Sequence, residues 1–137
     1  MALQKSKTLP NGATGNYWKI IYIGVDKRSL RVNYQIDLYM DIAHSGIASL
    51  NYTKNYSFMM TNQQMAGDLT SLGYTKIKDF ANTIKRPAVA YVAPQAAVEA
   101  TYDSEGNELT PYIPAVAEVL AQPAVYNDQD LQGAIDV

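Results

Sequence analysis

The clearest pattern along the chain is a strict alternation of apolar and polar positions between residues 30 and 42. Side chains alternate between the two faces of a β-strand, so this pattern predicts one long strand with one buried and one solvent-exposed face. A helix would scatter the same residues around its circumference. The apolar positions are Leu30, Val32, Tyr34, Ile36, Leu38, Met40 and Ile42.

Two further segments predict strands on either side of this one. Residues 17–25 place aromatic or β-branched residues on both faces of a predicted strand, which is typical of a strand covered on both faces. Residues 52–61 have an apolar face, and the three strands together predict an antiparallel meander. Residues 1–16 end in Pro, Asn and Gly turn signals, which indicate a loop. The apolar face of the third strand comprises Tyr52, Tyr56, Phe58 and Met60.

One helix is expected after the third strand, and the pair Arg86 and Pro87 ends it. Four apolar residues repeat at the helical period, with Thr75 as the candidate N-cap. An earlier helical turn over residues 65–72 is less favoured, because glycines interrupt and follow it. The four periodic residues are Ile77, Phe80, Ala81 and Ile84.

Residues 87–137 differ from the rest of the chain, since they hold five of the six prolines and many Ala and Val residues. Residues 97–102 and 109–114 are predicted to form a β-hairpin around a polar turn, and no repeat period is evident. Proline cannot donate a backbone hydrogen bond, so Pro111 and Pro114 indicate that the return strand lies at an edge.

These elements predict a mainly β fold of the α+β type. We expect an antiparallel sheet or small β-sandwich with one short helix and an extended β-hairpin arm. Residues 1–86 would form a β-rich core body, and residues 87–137 an acidic arm and tail. The first part holds all eleven Lys and Arg against five Asp, a net charge of +6, and the second holds eight acids and no base, a net charge of −8. The arm would lie on its own body or on that of a neighbour.

The sequence offers little material for catalysis. It has no cysteine and a single histidine, His44, which excludes thiolate metal sites, multi-histidine zinc sites and a Cys–His dyad. A triad that uses His44 would need a distant Ser and Asp, and the neighbouring Ser45 and Gly46 favour an ordinary turn. The turn at residues 103–108 has oxygen atoms that suit calcium, but it does not match an EF-hand loop. We expect no enzymatic activity, no cofactor and no metal.

The sequence contains eleven tyrosines, so possible contact surfaces are more informative than possible catalytic residues. Tyrosine is favoured at protein interfaces because it buries a large rigid ring and keeps a polar tip. It is also common in sugar-binding surfaces and in ordinary sheets. The lysines are scattered and the net charge is −2, so no nucleic acid is expected, and no apolar run is long enough to predict a membrane helix. The candidate interface residues are Tyr91, Tyr102, Tyr112, Trp18 and Tyr39.

Residues 7–20, with the sequence KTLPNGATGNYWKI, resemble the opening of small structural proteins of tailed bacteriophages. The hairpin at residues 102–111 and the ending LQGAIDV, residues 131–137, are similar to theirs. The resemblance implies a non-enzymatic component of the tail, baseplate or fibre-attachment region of the virion, assembled in the host cytoplasm.

Its expected partners are other copies of the chain and neighbouring phage structural proteins. The alternative is a capsid decoration protein or a host-surface carbohydrate-binding module.

Overall fold

The computed structural model describes residues 1–137 and divides the chain into two compact units. The sheet unit comprises Met1–Thr83 and Tyr126–Val137, and the ribbon comprises Ile84–Val125. The expected boundary after residue 86 lies close to the observed one, but the last twelve residues, expected as a tail that follows the arm, are grouped with the sheet unit. Those residues belong to the sheet unit, because they pair with its first strand and fill part of its core.

Nine strands and two helices follow one another along the chain: β1 (Leu3–Thr8), β2 (Thr14–Asp26), β3 (Arg31–Tyr39), β4 (Thr53–Met59), α1 (Asn62–Met65), α2 (Leu69–Asn82), β5 (Ile84–Arg86), β6 (Thr101–Tyr102), β7 (Glu108–Thr110), β8 (Val125–Tyr126) and β9 (Ile135–Asp136). Five of the strands form one antiparallel sheet in the order β4-β3-β2-β1-β9. This confirms the mainly β fold with an antiparallel sheet. There is one central sheet rather than a sandwich, and there are two helices rather than one.

Four alternate residues of β3 are buried, as the sequence pattern predicts. The strand ends at Tyr39 rather than at residue 42, because the chain turns around Asp41, whose carboxylate accepts a hydrogen bond from the N–H of His44. Met40 and Ile42 are therefore exposed. The four buried residues are Val32, Tyr34, Ile36 and Leu38.

β2 lies in the middle of the sheet and is irregular at Ile21. Its register with β3 shifts between Ile20 and Tyr22, which is a β-bulge. The N–H of Ile20 donates to the hydroxyl of Tyr74 at 2.8 Å. Beyond the bulge, Tyr22 and Val25 are exposed, so the expectation that both faces of this strand are covered is wrong for its second half.

β1 is not predicted by the sequence, whose turn signals indicate a loop over residues 1–16. The strand places Leu3 fully inside the core and pairs with β2 on one side and β9 on the other. The turn signals apply only to the connection between β1 and β2, where Gly12 adopts a φ of +84°.

α2 covers one face of the sheet with Tyr74, Ile77 and Ala81. A helix in this region is predicted, but it starts six residues before Thr75, which lies inside it and is not the N-cap. The N-cap is Asp68, whose carboxylate accepts hydrogen bonds from the first-turn N–H groups.

Gly73 allows α2 to lie close to the sheet. A Cβ atom at this position would lie 2.4 Å from Cε1 of Tyr34. The hydroxyl of Tyr34 donates a 2.9 Å hydrogen bond to the carbonyl of Leu69, so the ring cannot move aside without losing that bond. A glycine that weakens an isolated helix is thus required by packing.

The ribbon consists of two antiparallel segments joined by a turn at residues 103–107. β6 pairs with β7 beside the turn, and β5 pairs with β8 at the opposite end. Between these ends the segments form isolated pairs at every third residue, and the members of each pair exchange two backbone hydrogen bonds of 2.8–3.0 Å. The pairs are Val89↔Gln122, Val92↔Val119, Gln95↔Val116 and Val98↔Ile113.

Proline placement follows this three-residue period. A paired residue must supply its N–H group, which proline lacks, and all five prolines of the ribbon occupy unpaired positions. Proline-rich chains favour the polyproline II conformation, whose three residues per turn direct every third side chain to the same side. The expectation of no repeat period is therefore wrong. Six of the eight paired residues, called here the apolar stripe, are β-branched and apolar: Val89, Val92, Val98, Ile113, Val116 and Val119.

Replacing Gly73 by alanine should destabilise the sheet unit, although alanine favours helix. Overpacking against the Tyr34 ring costs about 1–3 kcal/mol, and displacement of the ring would also lose its hydrogen bond to Leu69, about 1 kcal/mol. Together these costs exceed the roughly 1 kcal/mol gained in helix propensity. We expect Gly73→Ala to lower the free energy of unfolding measured by urea denaturation.

Gly46→Ala serves as the control, because its Cβ atom would meet nothing within 4 Å. This control should change the free energy of unfolding by less than about 0.5 kcal/mol. A Gly73→Ala protein as stable as the wild type would contradict the packing argument.

Candidate functional site

A network of charged and phenolic side chains holds the C-terminal segment against the sheet. The Asp130 carboxylate accepts hydrogen bonds from Lys7 at 2.7 Å and from the hydroxyl of Tyr52 at 2.9 Å, and forms an ion pair with Lys54 at 2.8 Å. Lys7 lies in β1 and Lys54 lies in β4, which Tyr52 directly precedes. Asp130 thereby connects distant parts of the sheet.

Asp128 binds the same lysine, Lys54, and lines an open cleft of about 350 Å³. Its carboxylate forms a 2.5 Å ion pair with Lys54 and accepts a hydrogen bond from the hydroxyl of Tyr56. The charged groups at the cleft are therefore engaged with one another and serve to fasten the chain. The other residues that line the cleft are Asn55, Ser57, Phe58 and Phe80.

Burial and hydrogen bonding oppose each other in this network. Burial would raise the pKa of the Asp130 carboxyl, but hydrogen bonds from Lys54, Lys7 and Tyr52 outweigh it and lower the pKa to about 2. Burial likewise opposes the charge of Lys54, yet its two carboxylate partners raise its pKa. The pKa of Tyr56 is raised by burial and by its bond to Asp128.

His44, the single histidine of the chain, lies in an exposed turn. Its Nδ1 atom is 2.7 Å from the Asp41 carboxylate, which also accepts the N–H of His44 at 3.0 Å. The hydroxyl of Ser45 donates to the carbonyl of Ile42 at 2.8 Å. These side chains close the turn, and they are not arranged as a Ser–His–Asp triad.

Three of the five residues expected at an interface are exposed on the ribbon. The exposed fractions of Tyr91, Tyr102 and Tyr112 are 53%, 58% and 54%. Tyr91 also makes a 3.2 Å hydrogen bond from its hydroxyl to Glu118 in the opposite segment.

The other two residues are buried in the sheet unit, and their assignment to an interface is wrong. Trp18 is fully buried, and its indole N–H donates to the carbonyl of Lys5 at 2.8 Å. Tyr39 is 9% exposed and packs with Ala2 and Tyr17 on the other face of the sheet. Residue types alone do not predict that both faces of the sheet are buried at this end.

The ribbon has no buried residue at all between Ile84 and Val125. The side chains of the apolar stripe are 38–51% exposed, although Val and Ile are usually buried. This surface is not predicted by the periods of 2 and 3.6 residues that identify strands and helices. The signal that could have revealed it is the occurrence of Val or Ile at three of four positions spaced three residues apart in each segment.

The turn of the ribbon is built around Asp103. Its carboxylate accepts hydrogen bonds from the N–H groups of Glu105 and Asn107 and from the side chain of Asn107, at 2.9–3.0 Å. Gly106 completes the turn with a φ of +85°. The oxygen atoms considered for calcium thus have a structural role within the hairpin.

The two ends of the ribbon carry opposite charges. Its only bases, Lys85 and Arg86, lie at the end that β5 forms, called here the root. The turn end, called here the tip, carries four of the ribbon's five carboxylates: Glu99, Asp103, Glu105 and Glu108.

No helix of the chain is both long enough and apolar enough to cross a membrane. No three His, Cys, Asp or Glu side chains are grouped so that they could hold a metal ion. No protein-family model, curated protein or solved structure matches the chain.

The low pKa of Asp130 predicts a loss of stability in acid. A carboxyl whose pKa is lower in the folded than in the unfolded chain contributes stability above its unfolded value of 3.8, and this contribution disappears as the pH falls to about 2. The difference corresponds to about 2 kcal/mol. We expect the stability gap between wild type and Asp130→Asn to shrink as the pH falls from 5 to 2 in urea denaturation.

Asp79→Asn is the control, because Asp79 is exposed on α2 and forms no ion pair. It should lie close to wild type at every pH. A gap between wild type and Asp130→Asn that stays constant from pH 5 to pH 2 would refute the role of Asp130.

Proposed function

We propose that this chain is a structural subunit of a tailed-bacteriophage particle and that its copies associate through the ribbon. The observation that carries the proposal is the exposure of nearly all of the ribbon, in which an apolar stripe runs along one side and no residue is buried. Contiguous exposed apolar surface of this kind marks interaction sites in proteins.

The ribbon by itself has few sources of stability. Fixing the backbone of one residue costs about 1–2 kcal/mol, whereas one hydrogen bond contributes about 0.5–1.5 kcal/mol net. The four isolated pairs supply eight such bonds to a segment that runs from Ile84 to Val125. A two-stranded hairpin is marginally stable in water at best. Burial of the apolar stripe against another chain would supply the missing stabilisation.

Unpaired backbone groups also favour association. The two residues that separate successive isolated pairs in each segment make no backbone hydrogen bond within the ribbon. Exposed N–H and C=O groups along an extended chain can pair with an added strand. The prolines limit this pairing to part of each segment, which restricts uncontrolled edge-to-edge aggregation.

The virion setting is supported by the resemblance of residues 7–20, 102–111 and 131–137 to small phage structural proteins. The assembly role is supported by the ribbon. A carbohydrate-binding role is less well supported, because Tyr91 and Tyr112 lie beside pairs that are six residues apart, or roughly 19 Å along the ribbon at about 3.1 Å per residue.

Removing apolar side chains from the stripe should weaken self-association. In the double variant Val92→Ser/Val119→Ser the paired N–H groups remain, but the apolar area buried between copies falls. We expect a loss of about 2 kcal/mol, or roughly 30-fold in the dissociation constant, measured by sedimentation equilibrium of the full chain.

Ile47→Ser is the matched control, since Ile47 is 79% exposed in a loop of the sheet unit. This control should associate as tightly as wild type. Equal association of the Val92→Ser/Val119→Ser variant and wild type would exclude the stripe as the contact.

Mass spectrometry of purified phage particles tests the virion setting. We expect the chain in particles from the host culture that produces it, at a copy number that is a multiple of three or six. Hundreds of copies would instead indicate a capsid decoration protein. Its absence from particles would rule out a structural role in the virion.

A further inference from the structure

We propose that the ribbon binds the ribbon of a second copy, lying alongside it in the opposite direction. This inference rests on the proposed assembly function and adds which surface of the second copy is bound and in which orientation. The apolar stripe contributes at least one residue to each of the four pairs from Val89↔Gln122 to Val98↔Ile113, and it lies between two ends of opposite charge.

A two-fold axis suits the layout of this surface. In an isologous interface the same patch is used by both copies, so each contact occurs twice. Two antiparallel ribbons can bury their apolar stripes against each other over the whole length. The root of each copy then lies beside the tip of the other.

Charge selects the antiparallel arrangement over the parallel one. Side by side in the same direction, two tips would bring together four carboxylates from each copy, and two roots would bring together Lys85 and Arg86 of both copies. Juxtaposed like charges disfavour a complex. Arg86 and Asp103 are 17 positions apart, or roughly 53 Å at about 3.1 Å per residue, so the two ends are screened from each other at the Debye length of about 10 Å.

The sheet unit of a neighbour is a weaker electrostatic match for the acidic tip. Its nine Lys and Arg residues are nearly balanced by eight Asp residues. Three of its lysines, Lys7, Lys54 and Lys78, already form ion pairs with Asp residues of the same unit. The ribbon has the larger separation of charge, and its complement is the ribbon itself.

Neutralising either end of the ribbon should weaken dimers of the full chain. We expect Lys85→Gln/Arg86→Gln and Glu105→Gln/Glu108→Gln each to raise the dissociation constant roughly tenfold or more in sedimentation equilibrium at low salt, and added salt to weaken wild-type dimers. A tip variant that associates more tightly than wild type would establish the parallel arrangement and overturn the proposal.

Lys27→Gln/Arg28→Gln neutralises an exposed turn of the sheet unit and serves as the control. It should associate as wild type does. If this variant alone loses dimerisation, the acidic tip binds the sheet unit of the neighbour and the proposal is wrong.

The orientation can be measured directly because the chain has no cysteine. A spin label on Ser104→Cys, at the exposed tip, should give a distance of roughly 50 Å between the two labels of an antiparallel dimer. Parallel ribbons packed about 10 Å apart would give a distance below about 20 Å.

A dimer with the short distance overturns the orientation and leaves the assembly function standing. A chain that stays monomeric at every concentration, alone and in the particle, overturns both.

Discussion

Backbone hydrogen bonding at every third residue is the constraint on which the ribbon depends. It requires an N–H group at each paired position, so proline is confined to the positions between pairs. It also repeats the same side-chain direction every three residues, which places Val and Ile along one side. An ordinary strand alternates its faces every two residues and would distribute these residues over both faces. The exposed apolar stripe is therefore a direct consequence of how the backbone pairs.

The two units of the chain are stabilised in different ways. The sheet unit buries Trp18, Tyr34, Tyr74 and Leu131 in one core and satisfies their polar atoms internally. Its C-terminal segment is fastened through Lys54, which is held between two carboxylates. The ribbon has hydrogen bonds but no core. In the proposed assembly, the ribbon would gain stability from a partner copy, whereas the sheet unit is stabilised by its own core.

Local patterns in the sequence predict the elements that follow the usual periods of 2 residues for strands and 3.6 residues for helices. The alternation in β3 and the helical spacing of Ile77 and Ala81 both identify buried faces. Long-range contacts are not predictable in this way: Lys54 and Asp128 are 74 positions apart, and nothing local indicates that they meet. The burial of Trp18 and Tyr39 depends on which strands cover β2 and β3, so their residue types suggest an interface that the fold does not provide. In the ribbon, the relevant period of three lies outside the two periods that strands and helices follow.

Amide hydrogen exchange of the full chain, measured across protein concentrations, tests most directly whether association orders the ribbon. Amides of the sheet unit, such as those of Ile36 and Leu38, should be protected at every concentration. The paired amides of Val92, Val98 and Val119 should exchange rapidly in the dilute monomer and become protected as copies associate. Protection of these amides that is equally strong in the monomer would contradict the account, as would their rapid exchange in the associated form.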